Sequence, residues 1–367
     1  MINKRILYIT AFPPCKKTGG QYFSLNAINE LSKKYLVDLM YFSYSGHECE
    51  VSLKSIDEKK TTKIEFNVSR YNFLKYFWIH PTFSRRFDKK ILGEIQSISS
   101  QYDILYFDFT QVGLYSLYIQ HPHKILRVHD VLFQKYNRKN FLIAKWVKNT
   151  EQKILKSVTQ VFVPSIKDVE LIDKLYGIKA LFTHEYLKDI QFNEFIEQKK
   201  QFVFYGYWKR KENTDGLVWF IRKVLPLPKS QLDLVVIGGG LNKKIEEKFL
   251  KPNSIKYLGF VNNPLEIIAQ SSAVLVPLFQ GAGVKVKVVD SFTVGTPVIG
   301  TELAFEGIPD VSGLSFCATN EIEFVRFIES FKILSYEQKQ DYANKFRKLY
   351  DNHHLLEQIE LLGDYTK

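Results

Sequence analysis

Twice along this chain a short apolar run gives way to a glycine-bearing loop, then to a helical pattern, then to another apolar run. The first instance places a strand over Ile6–Ile9, a loop over Ala11–Gly20, and a helix over Tyr22–Lys34 with Leu25, Ile28 and Leu31 on one face. A second strand follows over Val37–Phe42. Strand, helix and strand with short joins make a βαβ unit, which buries its strands in a parallel sheet between helical layers. Further strands are expected at Ile104–Phe107, Ile125–Val128 and Val161–Val163. A helix fills Phe141–Leu155, and Ser165 caps another over Lys167–Tyr176.

The polar, charged stretch Tyr186–Lys200 then ends abruptly at Phe202-Val203-Phe204-Tyr205. From here the alternation restarts, with strands at 202–205, 234–237, 255–258, 273–276 and 297–300. Helices are expected near 214–224, 242–250, 264–270 and 284–294, and a last helical pattern runs from Tyr336 to Leu362. The expected fold class is α/β, with two Rossmann-like domains facing a central cleft. The first spans 1–195 and the second 196–345, and a C-terminal helix in 346–367 packs at their junction. Open parallel sheets bind ligands outside the carboxyl ends of their strands, so the strand-end loops carry the candidate site.

A chain of 367 residues with 45% hydrophobic and 25% charged residues has the composition of a folded two-domain protein. Its net charge of +12 suits nucleic acid, anionic lipid or a phosphorylated substrate. No zinc-finger spacing, RNA-recognition signature or basic tail accompanies the charge, which ranks nucleic acid last. The three cysteines, Cys15, Cys49 and Cys317, are widely spaced and odd in number. They suggest neither a disulfide framework nor a structural metal site, and fit a reducing cytoplasm. The first residues are too short an apolar run for a signal peptide, and no uninterrupted apolar stretch reaches membrane-spanning length. Any membrane contact is therefore expected to be peripheral, at the cytoplasmic face.

Residues 201–307 carry an ordered succession of short motifs. Gly206-Tyr207-Trp208 precedes Glu212-Asn213-Thr214-Asp215-Gly216, and Val236-Ile237-Gly238 precedes Tyr257-Leu258-Gly259-Phe260-Val261. Pro277-Leu278 leads to Gly281-Ala282-Gly283-Val284-Lys285-Val286-Lys287, then Asp290, Gly295-Thr296-Pro297-Val298-Ile299-Gly300-Thr301 and Glu306-Gly307-Ile308. This succession resembles the donor-binding domain of GT-B glycosyltransferases, the family 4-like group also called glycosyl transferases group 1. In the first half, Thr18-Gly19-Gly20 resembles the family's glycine loop, and Val128-His129-Asp130 with Tyr136 and Arg138 its His-Asp segment.

The resemblance implies a hexosyltransferase that takes a UDP- or GDP-sugar as donor and needs no cofactor or bound metal. Its acceptor is a glycan or a lipid-linked one, in surface-polysaccharide synthesis. Gly281, Ala282, Gly283 and Val284 would offer backbone N–H groups to the pyrophosphate at a helix start, where the helix dipole favours negative charge. Lys285 or Lys287 would add a full positive charge, the alternative being a solvated first-turn lysine. Asp290, where the family usually has Glu, would accept from the ribose hydroxyls, or else be a helix-surface charge. Arg210, within Lys209-Arg210-Lys211, would grip phosphate bidentately, unless the run is an exposed loop. Phe260 and Val261 would contact the base through backbone, and Gly238 would let phosphate approach or simply turn the chain.

Gly19 and Gly20 would admit the donor, or form a plain turn. His129 would meet the transferred sugar, or be a satisfied core histidine. Asp130 would orient His129 or act as a base toward an acceptor hydroxyl. Many retaining members carry a further Glu where this chain reads Pro277-Leu278-Phe279-Gln280, so Gln280 stands in as a hydrogen-bonding group. Retention is thus implied on a motif carried incompletely.

Between Tyr71 and Ile91, bulky aromatics alternate with Lys75, Arg85, Arg86, Lys89 and Lys90, opposed only by Asp88. Such a segment fits a lipid headgroup layer serving a lipid-linked acceptor, or an ordinary core beside solvated lysines. Two other functions fit the same motifs: a sugar-nucleotide epimerase of the same fold, and a catalytically degenerate carbohydrate-binding or assembly module.

Overall fold

The computed structural model describes residues 4–15, 18–43, 49, 51, 63–67, 71–138, 140–183, 198–350 and 355–363. The chain divides into two units, residues 1–185 together with 353–367, and residues 186–352. The expected boundary at 195/196 and most of the polar stretch around it lie outside the described residues.

Unit 1 runs β1 (Arg5–Thr10), α1 (Gly19–Leu31), β2 (Leu36–Ser43), β3 (Lys63–Asn67), α2 (Pro81–Ser84), α3 (Lys89–Ser99) and β4 (Ile104–Asp108). It continues with β5 (Lys124–Arg127), α4 (Leu132–Asn137), α5 (Phe141–Lys156), β6 (Gln160–Val163), α6 (Ile166–Tyr176) and β7 (Ala180–Phe182). All strands are parallel, in the order β3-β2-β1-β4-β5-β6-β7. The apolar runs are explained by burial on both faces. Ile6 and Tyr8 pack on one side with Ile28, Leu31 and Leu39, while Leu7 and Ile9 pack on the other with Met40 and Phe107. Ser165 caps α6 as its position suggests, its hydroxyl accepting from the Asp168 N–H at 3.1 Å.

Unit 2 runs β8 (Lys199–Tyr205), α7 (Lys211–Lys223), β9 (Asp233–Ile237), α8 (Lys243–Ile245), β10 (Lys256–Gly259), α9 (Pro264–Gln270) and β11 (Ser271–Val276). It ends with α10 (Val286–Thr293), β12 (Val298–Gly300), β13 (Ser315–Cys317), α11 (Glu321–Ser330) and α12 (Tyr336–Tyr350). The helix expected over 242–250 is a single α-turn that widens into a π-turn over Glu246–Leu250. The strand order is β10-β9-β8-β11-β12-β13, also parallel. Both sheets reverse their order beside their first strand, at β1/β4 and at β8/β11. These are the switch points where an open sheet leaves room for a ligand.

The C-terminal pattern expected as one helix is two. α12 stays in unit 2, where Phe346 meets Phe292 of α10 with ring centroids 5.4 Å apart. The last helix, α13 (Leu355–Gly363), joins unit 1, burying Leu355 and Ile359 against α1 and taking the Glu30 carboxylate onto the Leu356 N–H at 3.1 Å.

The cysteine reading needs correction. Cys15 and Cys49 form a disulfide across 34 residues of sequence, with Cα atoms 6.6 Å apart. The parallel pairing of β1 with β2 sets Thr10 beside Tyr41, so the two cysteines follow the carboxyl ends of neighbouring strands. Among the described residues no helix is long and apolar enough to cross a membrane.

Candidate active site

In unit 1 the strand ends assemble a buried polar group. Asp108 closes β4 and is fully buried, and the next residue, Phe109, holds φ at +81°, a conformation rare outside glycine. Three groups from other elements converge on the Asp108 carboxylate. His129, just past β5, reaches one oxygen with Nε2 at 2.7 Å, the Ser24 hydroxyl of α1 donates to the other, and Thr10 of β1 lies 3.3 Å away. Phe109 stacks flat on the imidazole, with centroids 3.7 Å apart and planes 9° from parallel. Gly20 permits this: a Cβ there would come within 3.2 Å of the Phe109 ring.

The electrostatics fix the proton. Burial pushes Asp108 up, but its contact with His129, the Arg127 charge and the Ser24 hydroxyl pull it below the usual carboxylate range. Burial pushes His129 below the usual imidazole value against the opposing pull of Asp108. The couple is therefore a carboxylate with a neutral imidazole. Nε2–H donates to Asp108, which leaves Nδ1 as a lone-pair acceptor.

The expectation that Asp130 orients His129 is corrected here. Asp108 orients it, and Asp130 pairs with Lys135 at 2.9 Å. Gly19 and Gly20 form the first turn of α1 behind the N-cap Thr18. Below the His129 loop, Glu151 of α5 is buried and caps α4, whose own N-cap residue offers no side-chain bond. Its oxygens accept the Leu132 and Phe133 N–H groups at 2.7 and 2.9 Å and the Tyr176 hydroxyl at 2.6 Å.

In unit 2, backbone bonds draw the loops after β8, β9 and β10 together. The Gly206 N–H donates to Ile237 O, Trp208 N–H to Gly239 O and Gly238 N–H to Gly259 O, at 3.2, 2.9 and 2.7 Å. Gly238 holds φ at +110°, and a Cβ there would lie 1.9 Å from the Gly206 carbonyl oxygen. Its glycine is thus required by loop-to-loop packing. Phe260 is exposed and Val261 half-buried at the tip of the β10 loop.

The loop Gly281-Ala282-Gly283-Val284 precedes α10, with positive φ at both glycines, and Lys285 is the N-cap residue of that helix. Lys285 is not a solvated lysine: it folds back to donate to Gly283 O and lies 3.5 Å from Glu306, both side chains nearly buried. Lys287 is held by Asn213 of α7 at 2.7 Å, and Asn213 in turn donates to Tyr207 O at 2.9 Å. Burial, reinforced by the Arg210 and Lys285 charges, pushes the Lys287 ammonium down to about 7, against Glu212. Arg210 is exposed at the start of α7, 3.8 Å from Glu212. Asp290 is buried inside α10, not a surface charge. Gln280 turns outward to donate to Asp215 at 3.2 Å.

The structure thus groups Gly19, Gly20, His129 and Asp130 in unit 1. Gly238, Phe260, Val261, Arg210, Gln280, the 281–285 loop and Asp290 belong to unit 2. Sequence reasoning missed Asp108, Ser24, Phe109, Glu151 and the Asn213–Lys287 and Lys285–Glu306 pairings. For Asp108 a signal existed, a carboxylate closing an apolar strand on the ligand side of the sheet.

Comparison with known proteins gives a family match for part of unit 2. Residues 199–331 match the family model for glycosyl transferases group 1. A protein of Klebsiella pneumoniae, described as an uncharacterized 44.6 kDa protein in the cps region, is 26% identical over 162 residues. The match spans 41% of this chain and 42% of that protein, under half the relative's length. Among solved structures, Anabaena HepE in complex with UDP superposes with a TM-score of 0.67 at 12% identity, covering 98% of this chain and all of that one. WaaG, a glycosyltransferase involved in lipopolysaccharide biosynthesis, gives 0.62 at 16% identity, covering 98% of each. HepE has also been solved with UDP-glucose, matching at a TM-score of 0.64 and 13% identity over 98% of this chain and 99% of that one. The chain thus has the GT-B fold of these structures, and its residues 199–331 match the model for glycosyl transferases group 1.

Proposed function

We propose that the protein transfers a hexosyl group from a nucleotide-sugar to a glycan or lipid-linked acceptor in surface-polysaccharide synthesis, with retention at the anomeric carbon and without a metal ion. The observation that carries this reading is the cation group at the ligand side of the second sheet: Arg210, Lys285 and Lys287, at the starts of α7 and α10 within the family-matched region. In the transfer, the bond between C1 of the sugar and the phosphate oxygen breaks and its electrons stay on the diphosphate. A new bond forms from C1 to the acceptor oxygen, whose proton is released to the departing phosphate. Charge grows on the diphosphate as it leaves, and preorganised cations stabilise that growth without reorganising. The 281–284 backbone would hold the pyrophosphate, Asp290 the ribose, and the β10 loop at Phe260 and Val261 the base. His129 Nδ1 would accept from a sugar hydroxyl, with Asp130 nearer solvent toward the acceptor.

The relatives support this at a distance. HepE is described with UDP-glucose, WaaG in lipopolysaccharide biosynthesis, and the Klebsiella protein in the cps region. The test is a panel of UDP-, GDP-, ADP- and CMP-sugars, scored by thermal shift and by slow donor hydrolysis, with Lys285→Ala and Asp290→Ala as controls. One nucleotide class should raise Tm and be hydrolysed, with both effects weakened in each variant. Binding of none of them would refute the donor site and leave the degenerate module. Hydrolysis to an epimerised sugar without acceptor would favour the epimerase.

A further inference from the structure

Two segments of unit 1, some 65 residues apart, share one unusual surface. The turn Asn72–Tyr76 and the residues after it leave Leu74, Phe77 and Trp78 exposed, Phe77 at 73%. The start of α5 exposes Phe141, Leu142 and Trp146, Leu142 at 76%, although Asn140 caps this helix so well that it accepts both the Leu142 and Ile143 N–H groups. A helix that opens on consecutive exposed apolar residues gains nothing from water there. The segments are fastened together. The Trp146 indole donates to Trp78 O at 3.2 Å, and His80 packs between Trp146 and Tyr136 with ring centroids 5.0 and 4.9 Å apart. The Thr82 and Tyr136 hydroxyls meet at 2.6 Å. The fastening uses backbone, ring edges and hydroxyls, and leaves the large apolar tips outside.

Charge decides what covers those tips. Residues 71–87 contain Lys75, Arg85 and Arg86 and no Asp or Glu. Residues 131–150 contain five lysines and arginines and, again, no Asp or Glu. Lys75 and Lys145 are exposed beside the aromatic tips. An apolar surface ringed by one sign of charge repels a second copy of itself. It matches a layer that is anionic at its face and apolar beneath, where amphipathic rings lodge at headgroup depth. We propose that this joined surface, formed by residues 71–78 and the first turns of α5, docks on the headgroup layer of an anionic lipid bilayer. It deepens the lipid-linked acceptor reading by naming the surface that would hold the enzyme beside such an acceptor, and its test is independent of donor chemistry.

Flotation of the full chain with phosphatidylcholine vesicles, with and without 30 mol% phosphatidylglycerol, measures the partition directly. Binding is expected to the anionic vesicles, with a blue shift of tryptophan emission as Trp78 and Trp146 leave water. Replacing Phe77 and Leu142 by serine should weaken partition about 100-fold, since each forfeits most of an apolar side chain's transfer. Replacing Lys75 and Lys145 by glutamine should weaken it about 30-fold, roughly fivefold or more per cation, and flatten its salt dependence. Each variant's thermal shift with the nucleotide-sugar that the wild type binds should stay unchanged, which shows a folded unit 2 and separates this result from the donor reading. If the wild type binds no anionic vesicle, or both double variants bind as well as it does, the proposal is wrong. So it is if the serine variant instead abolishes self-association of a chain that ignores vesicles.

Discussion

Glu151 offers a pH-dependent test of how the His129 loop is held. Its carboxyl is buried beneath α4, and burial pushes it up to about 7, against the pull of Tyr176 and of the Phe133 and Leu132 N–H groups. In the unfolded chain the same group titrates near its ordinary value of 4.5. Between those values the folded protein keeps a proton that the unfolded chain has released. The folded pKa is the higher one, so this contribution to stability is full below pH 4.5, shrinks as pH rises, and is gone above about 7. At full extent that difference is worth about 3 kcal/mol, a factor of a few hundred in the local opening equilibrium. Glutamine at 151 mimics the protonated acid in shape and cannot titrate. Hydrogen-exchange protection of peptides spanning 131–156, compared between wild type and Glu151→Gln at the same pH, cancels intrinsic exchange rates. The wild-type advantage, whatever its size at pH 5, should fall by about 60-fold by pH 7.5. A ratio that stays constant across this range would refute a buried carboxyl ionising under α4. Because α4 begins two residues past Asp130, donor hydrolysis by the wild type should change over the same interval, and by the variant much less.

Three further outcomes follow from the geometry. Asp108→Asn removes the charge that holds the His129 Nε2–H, and should lower donor hydrolysis ~10–100-fold, the worth of one charge-assisted hydrogen bond, while thermal shift with nucleotide is preserved. Lys287→Met should weaken nucleotide-sugar binding by a similar ~10–100-fold, measured by titration calorimetry, yet leave the apo protein as stable or more so. The folded ammonium pKa is depressed to about 7 from 10.5, so its charged form costs most below pH 7 and the cost fades as pH rises toward 10.5. The Tm gain of the variant should therefore be largest at low pH. Gly238→Ala forces a Cβ to within 1.9 Å of the Gly206 carbonyl oxygen at a φ of +110°, and should cost at least ~2 kcal/mol, read as a Tm drop of several degrees with loss of nucleotide binding.

How much of this was readable beforehand varies with burial and with sequence distance. The strands over Ile6–Ile9 and Leu234–Ile237 were legible because central strands of a parallel sheet bury both faces and leave unbroken apolar runs. β3 and β7 escaped notice because they are edge strands, one carrying Lys63 and Glu65, the other only three residues long. The second-sheet loops were legible because their motifs are local: Gly281 to Asp290 lie within ten consecutive residues. The unit 1 couple was not. Asp108 and His129 are 21 residues apart, and only the pairing of Asp108 with Arg127 on adjacent strands brings them together. The same cause hid Cys15–Cys49.

Asp130 shows the converse failure, a carboxylate chosen because it stands next to His129 in sequence. His129 and Asp130 lie in a bend past the end of β5, and Asp130 is taken by Lys135 of α4. The true partner closes the neighbouring strand: Asp108 ends β4 opposite Arg127 of β5, two residues before His129. That placement also explains why the couple is charged as it is. A carboxylate at 0% exposure needs donors on both oxygens, and His129 with Ser24 supplies them from two different elements. The imidazole then has no choice of tautomer, and its free nitrogen is an acceptor. In unit 2 the loop after β8 carries Arg210, and the first turn of α10, after β11, carries Lys287. The unit 1 couple thus presents a hydroxyl-accepting nitrogen and unit 2 a group of cations, each on the ligand side of its own parallel sheet.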